Sequence, residues 1–251
     1  MKITVENKAA KFLIRLADTE MVLGQRLCEM CSNGPFLEED IAMSNTALDL
    51  IGRAEELYKI IAEIEGNKHS ADDYVYRRNE REYFSIKLVE MPNEDFAWTI
   101  ARSYLHDVYI REIFRQLKDN SSISGVSPLA EKVLIEIEYN HEKVRDWMYR
   151  LGLGTEESNQ RMQAAVDHMY RYVAEMFNFD DIDNEFISDT AAIEANWQKE
   201  VALTLAETNI KEPEIRDVVM RDYREGFHTE HLGHLLSELQ YLTRAYPEAK
   251  W

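Results

Sequence analysis

The feature that most constrains this chain is the spacing of Leu134, Ile137, His141, Val144, Met148 and Leu151, which follow one another in alternating steps of three and four. Only an α-helix brings such positions onto one narrow face, and that face needs a neighbouring helix to cover it. The same reasoning extends in both directions. Phe12, Leu16, Val22 or Leu23, and Leu27 mark a helix from Lys8 to about Ser32, broken by Asn33-Gly34-Pro35. A second spans Glu38 to Glu65, with Ile41, Leu48, Ile51, Leu57 and Ile61 as its apolar positions, and stops at Gly66-Asn67, because glycine accepts a positive φ. A third runs from Asn93 to about Asp119 through Phe96, Ile100, Tyr104, Val108 and Phe114. The helix around His141 is the fourth, opening at Ser127 or Pro128 and ending at Gly152 and Gly154.

The remaining segments are shorter. Ser70 to Lys87 mixes aromatic and charged residues and predicts a short helix and loop, whose Tyr74, Tyr76, Tyr83 and Phe84 offer a contact surface. Thr155-Glu156-Glu157-Ser158 is close to a capping box and opens a fifth helix to about Phe177, followed by the acidic loop NFDDIDNEF. Ala191–Thr208, Glu214 to about Glu225, and His228–Tyr246 read as further helices, the last halted by Pro247. No segment reads as a strand. The expectation is one all-α domain over residues 1–251, a four-helix bundle with additional C-terminal helices.

Charge narrows the function. With 29 basic against 47 acidic residues the formal net charge is −18, which repels phosphate backbones and anionic lipid head groups, so neither nucleic acid nor membrane is an expected partner. No window approaches about 18 uninterrupted apolar residues, and MKITVENKAAKF lacks a secretory pattern, so a cytoplasmic protein is expected. The only cysteines, Cys28 and Cys31, form a CxxC inside a helix with no second pair to complete a zinc site, and read as reduced packing thiols.

Three groups of residues bear on chemistry. Glu138-x-x-His141 places a carboxylate and an imidazole one turn apart, the pattern with which a bundle helix grips a metal from one side. Spacing alone favours a core-edge histidine beside a solvated glutamate, but His141 sits in the apolar seam, and Asp107 lies mid-helix beside Tyr104 and Val108, where an inward carboxylate needs a partner. A complete di-iron site needs the same ligand types from the other helix pair. There the sequence has Gln25 near the first helix's core stripe and Ser44-Asn45-Thr46-Ala47-Leu48 in the second, which cannot hold iron as carboxylate and imidazole do. The third group is Glu225-x-x-His228 with His231 and His234. Gly226 implies a helix break there, which favours helix capping and contacts over a metal or acid–base cluster.

LGQRLCEMC, DIAMSNTALDLIGRAEE, FAWTIARSYLHDVY, MFNFDDID and above all the ending GFHTEHLGHLLSELQYLTRAYPEAKW give the chain, over nearly its whole length, a resemblance to the C-subunit family of bacterial ring 1,2-phenylacetyl-CoA epoxidases. These are multicomponent monooxygenases of phenylacetate breakdown. The resemblance implies a ferritin-like fold and a structural role, with the di-iron centre in a catalytic A subunit and no cofactor in this chain. Carried across, it assigns Gln25, Asn45 and Leu48 to a lost half-site and Asp107, Glu138 and His141 to a remnant half, with no catalytic residue and no metal expected. Retention of Glu138 departs from the family pattern and keeps open a metal-binding protein or mononuclear enzyme built on Asp107, Glu138 and His141. Expected partners are the A subunit, other members of the complex, and a second copy when the chain is alone.

Overall fold

The computed structural model describes residues 3–215 and 222–249, and every regular element among them is helical. In chain order these are α1 (Lys8–Cys28), α2 (Leu37–Ile64), α3 (Ala71–Tyr76), α4 (Lys87–Glu90), α5 (Phe96–Asn120), α6 (Val126–Gly152), α7 (Glu156–Met169), α8 (Val173–Met176), α9 (Asp183–Phe186), α10 (Thr190–Glu207), α11 (Glu230–Leu239) and α12 (Tyr241–Ala245). The all-α class expected from the periodicity is therefore observed. Half of the helix expected over Glu214–Glu225, residues 216–221, lies outside the described residues, and of the rest only Tyr223–Glu225 are helical, as a single 3-10 turn. Contacts gather the chain into two compact units, one made of residues up to Asn33, Glu38–Pro92 and the C-terminal segment, the other of Gly34–Leu37 and the stretch from Asn93 on.

In the first unit α1 is buried on almost every side. Asn7 caps it by accepting from the Ala9 and Ala10 amides, which leaves fewer unpaired donors at the helix start. Gly24 marks the crossing with α2, where an added Cβ would come within 2.9 Å of Ile51 and 3.2 Å of the Ala47 carbonyl oxygen. That close approach corrects the reading of α2. Its inward stripe is Met43, Ala47, Leu50, Ala54, Leu57 and Ile61, whereas Ile41 and Leu48 are 51% and 65% exposed. Of the expected apolar positions Leu57 and Ile61 are buried and Ile51 lies against Gly24, while small residues opposite the glycine set the crossing and leave Ile41 and Leu48 turned outward.

The connector after α2 is also more buried than expected. Tyr74 and Tyr83 are core residues, not a contact surface. They and Tyr58 surround Arg78, which pairs with Asp18 of α1, while Asp18 also accepts from the Tyr58 hydroxyl and, at 2.8 Å, the Phe84 amide. A fully buried ion pair is tolerated only when its remaining donors and acceptors are met in this way. Gln240, at the break between α11 and α12, donates to the carbonyls of Val75 (2.7 Å) and Arg78 (3.0 Å) and ties the chain's last turns to this connector.

The second unit is built on α5, α6, α7 and α10. Asp95 caps α5, accepting from Trp98 N at 3.0 Å. Ile137, His141, Val144 and Met148 of α6 are buried as their spacing required. Gly152 ends this face where a Cβ would lie 2.5 Å from the Thr208 carbonyl oxygen, so the ends of α6 and α10 meet almost backbone to backbone. Trp197 of α10 is fully buried, its indole donating to the Leu105 carbonyl at 3.0 Å and its ring against Phe177. Thr155 and Ser158 form the expected capping box at the start of α7.

Candidate functional site

Asp107, Arg111 and Arg115 follow at intervals of four on α5 and so share one face of it. From there the buried Arg111 reaches Glu138 on α6, 3.6 Å away, and forms a tight ion pair with Glu200 on α10. Arg115 donates to Glu138 at 2.8 Å and pairs with Glu112, whose second oxygen accepts from Asn196 at 2.8 Å. His141 Nε2 lies 2.9 Å from Glu200 Oε1, a charge contact off the axis of a good hydrogen bond. Its ring lies parallel to Tyr104 at 5.5 Å, and its Nδ1 is buried without a hydrogen-bond partner among the described residues.

Three carboxylates are thus set against two guanidinium groups and one imidazole. Burial of Glu200 works against its charge, but the His141 contact and the Arg111 guanidinium outweigh it and hold the carboxyl at about 2. Asp107 stands apart from these contacts and lies 3.1 Å from His106 Nδ1. The remnant triad expected from the sequence is therefore not one ligand set: Asp107 faces His106, Glu138 faces the two arginines, and His141 faces Glu200. Among the described residues no three His, Cys, Asp or Glu side chains are grouped to hold a metal ion.

Arg111, Arg115, Glu112 and Glu200 were missed in the sequence. For the arginines the signal was Arg111-x-x-x-Arg115 on the face of Asp107, since two cations on a buried face need acids from neighbouring helices. Glu200 had no such signal, because its helix lies far along the chain from α6. In the first unit, Gln25 is half-buried on α1, while Asn45 and Leu48 lie on the outward face of α2.

The C-terminal histidines separate. The His228 side chain is completely buried beside Glu90: Nδ1 lies 2.6 Å from Glu90 Oε1 and Nε2 lies 2.8 Å from the Tyr83 carbonyl. Glu90 also accepts from the Thr229 amide and hydroxyl and from Ser85. Both ring nitrogens face acceptors, an arrangement that favours the imidazolium. Burial opposes that charge, and the Glu90 contact outweighs burial and raises the pKa above the usual 6.5. Gly226, with φ +75°, breaks the chain just before His228, as expected, while His231 is half-buried and His234 exposed. Cys28 and Cys31 are free thiols, and burial, then Cys31 and Glu29, raise the Cys28 pKa, which disfavours the nucleophilic thiolate.

The sequence profile of the phenylacetic acid catabolic proteins matches residues 1–251. The chain belongs to this family. A curated relative, the C subunit of 1,2-phenylacetyl-CoA epoxidase from Escherichia coli strain K12, is 35% identical over 250 residues, covering 98% of this chain and 100% of that protein. Membership places the chain in phenylacetate catabolism with an all-α, ferritin-like fold, as its sequence segments had implied. Among the described residues no helix is long and apolar enough to cross a membrane.

Proposed function

We propose that this chain is the non-catalytic member of a multicomponent di-iron monooxygenase that epoxidises the ring of phenylacetyl-CoA, and that it supports the catalytic A subunit. The observation that carries the reading is the position of Arg111. An iron held by Glu138, Glu200 and His141 needs free carboxylate oxygens and no competing cation. Here a guanidinium bridges the two carboxylates, and Arg115 occupies the other oxygen of Glu138. The donor set of this unit fits an internal salt-bridge network and does not fit a metal centre. Gln25, Asn45 and Leu48 point the same way, since two neutral amides and a hydrocarbon offer iron little. The relative is named as one subunit of an enzyme, and the outward Ile41 and Leu48 are large exposed apolar side chains that a partner protein would cover.

Co-expression with the A subunit tests this. The two chains should co-purify, and Leu48→Glu should lower recovery of the complex without changing the helical circular-dichroism signal. Absence of any complex would sink the proposal. The rival account, a metal protein built on Asp107, Glu138 and His141, is separated by elemental analysis of the chain expressed alone in iron-supplemented medium. About one metal per chain, lost in Glu138→Ala, would establish it in place of the scaffold.

A further inference from the structure

The first unit contains a cleft of about 650 Å³ between the connector after α2 and the final turn of the chain. We propose that it binds a small phosphate-bearing anion of nucleotide size. The volume lies within the range of small-molecule sites, and the charges lining it are unlike the rest of this acidic chain. Lys68, Arg77 and Arg244 face the cleft against a single lining acid, Asp73. That acid is already engaged: one oxygen pairs with Arg77 at 2.8 Å and the other accepts from the Ser70 amide at 2.9 Å. Arg77 and Asp73 therefore cancel, and Lys68 and Arg244 supply the net positive charge.

Arg244 is held in place without being neutralised. Its donors meet only uncharged oxygens, the carbonyls of Arg78 (2.7 Å) and Tyr76 (3.4 Å) and the Asn79 amide oxygen (3.4 Å). These contacts fix the plane of the guanidinium and leave its charge for a ligand, the arrangement suited to a phosphate. Lys68 has no hydrogen bond or ion pair among the described residues and supplies a second cation on a flexible stem. Tyr76 and Pro247 add apolar surface on which the non-phosphate part of a ligand can rest. This assignment does not depend on the supporting role proposed above.

The test is isothermal titration of the complete chain with ADP and, separately, with inorganic pyrophosphate at low salt. Saturable binding with Kd below about 1 mM is expected, weakening as salt is raised. Lys68→Gln should weaken it about tenfold, and Lys68→Gln with Arg244→Gln about a hundredfold, a factor of ten for each charge-assisted contact. Lys68→Gln breaks no contact in the fold, so it stands if Arg244→Gln fails to fold, and Lys132→Gln on α6 serves as a control with unchanged affinity. Equal affinity for both probes assigns recognition to the phosphates alone, and tighter ADP binding adds the apolar wall. No saturable binding at millimolar concentrations, binding indifferent to Lys68→Gln, or preference for a glutamate-rich peptide over both probes would overturn the proposal.

Discussion

Replacing His228 with leucine should destabilise the chain by about 3–5 kcal/mol, because it leaves the buried Glu90 carboxylate without its countercharge. Both side chains are 0% exposed, so water cannot take over the lost contact. Leucine also removes the donor that meets the Tyr83 carbonyl at 2.8 Å, while the Ser85 and Thr229 contacts to Glu90 remain and keep the cost from rising further. The effect carries a pH signature. A histidine whose folded pKa is raised contributes stability that is fully present below the unfolded value near 6.5 and is lost as pH rises through the raised folded value. The wild type should therefore exceed His228→Leu most at about pH 6, with the gap narrowing steadily toward pH 9. Urea denaturation of both proteins across that range, read by circular dichroism, measures the gap directly. A gap below about 1 kcal/mol at pH 6, or one that widens with pH, would refute the idea of a buried imidazolium at this position.

Other expectations follow from particular contacts. Arg111→Met should cost about 1–2 kcal/mol, discounted because the Glu138 and Glu200 side chains are 46% and 31% exposed, and the variant should take up a divalent cation more readily than the wild type, measurable by titration with Mn²⁺. Gly152→Ala should lower stability by about 1–3 kcal/mol in thermal or urea melts, since its Cβ meets the Thr208 backbone at 2.5 Å and neither helix end can retreat freely. Arg78→Met should destabilise by about 3–5 kcal/mol through the stranded Asp18, and adding Asp18→Asn should restore part of the loss.

Where apolar spacing was strict, the fold was legible in the sequence. The face of α6 around His141 and the breaks at Gly66 and Gly226 follow from local rules alone, because periodicity and positive φ are properties of a few adjacent residues. The outward turn of Ile41 and Leu48 on α2 was not legible, because the crossing there depends on Gly24 meeting Ala47, a contact made by residues distant in sequence. The same holds for Tyr74 and Tyr83, which looked like surface aromatics until Asp18 and Arg78 gave them a buried charge to enclose. In the candidate site the sequence correctly singled out His141 as buried and Asp107 as needing a partner, but assigned them to each other. His141 instead meets Glu200, because side-chain pairing across helices depends on the rotation and depth of each helix, which spacing within one helix does not fix, while Asp107 meets its own chain neighbour His106.

The central claim is that the chain supports a partner's chemistry and performs none through its own carboxylates. The most direct measurement is the epoxidation rate of the complex reconstituted with the A subunit and either wild-type chain or its Glu138→Ala variant, with assembly verified by size-exclusion chromatography. Equal rates are predicted, because Glu138 is engaged by Arg111 and Arg115 and contributes no metal ligand. Loss of activity in an intact complex would contradict the account and return Glu138 to the role of a working ligand.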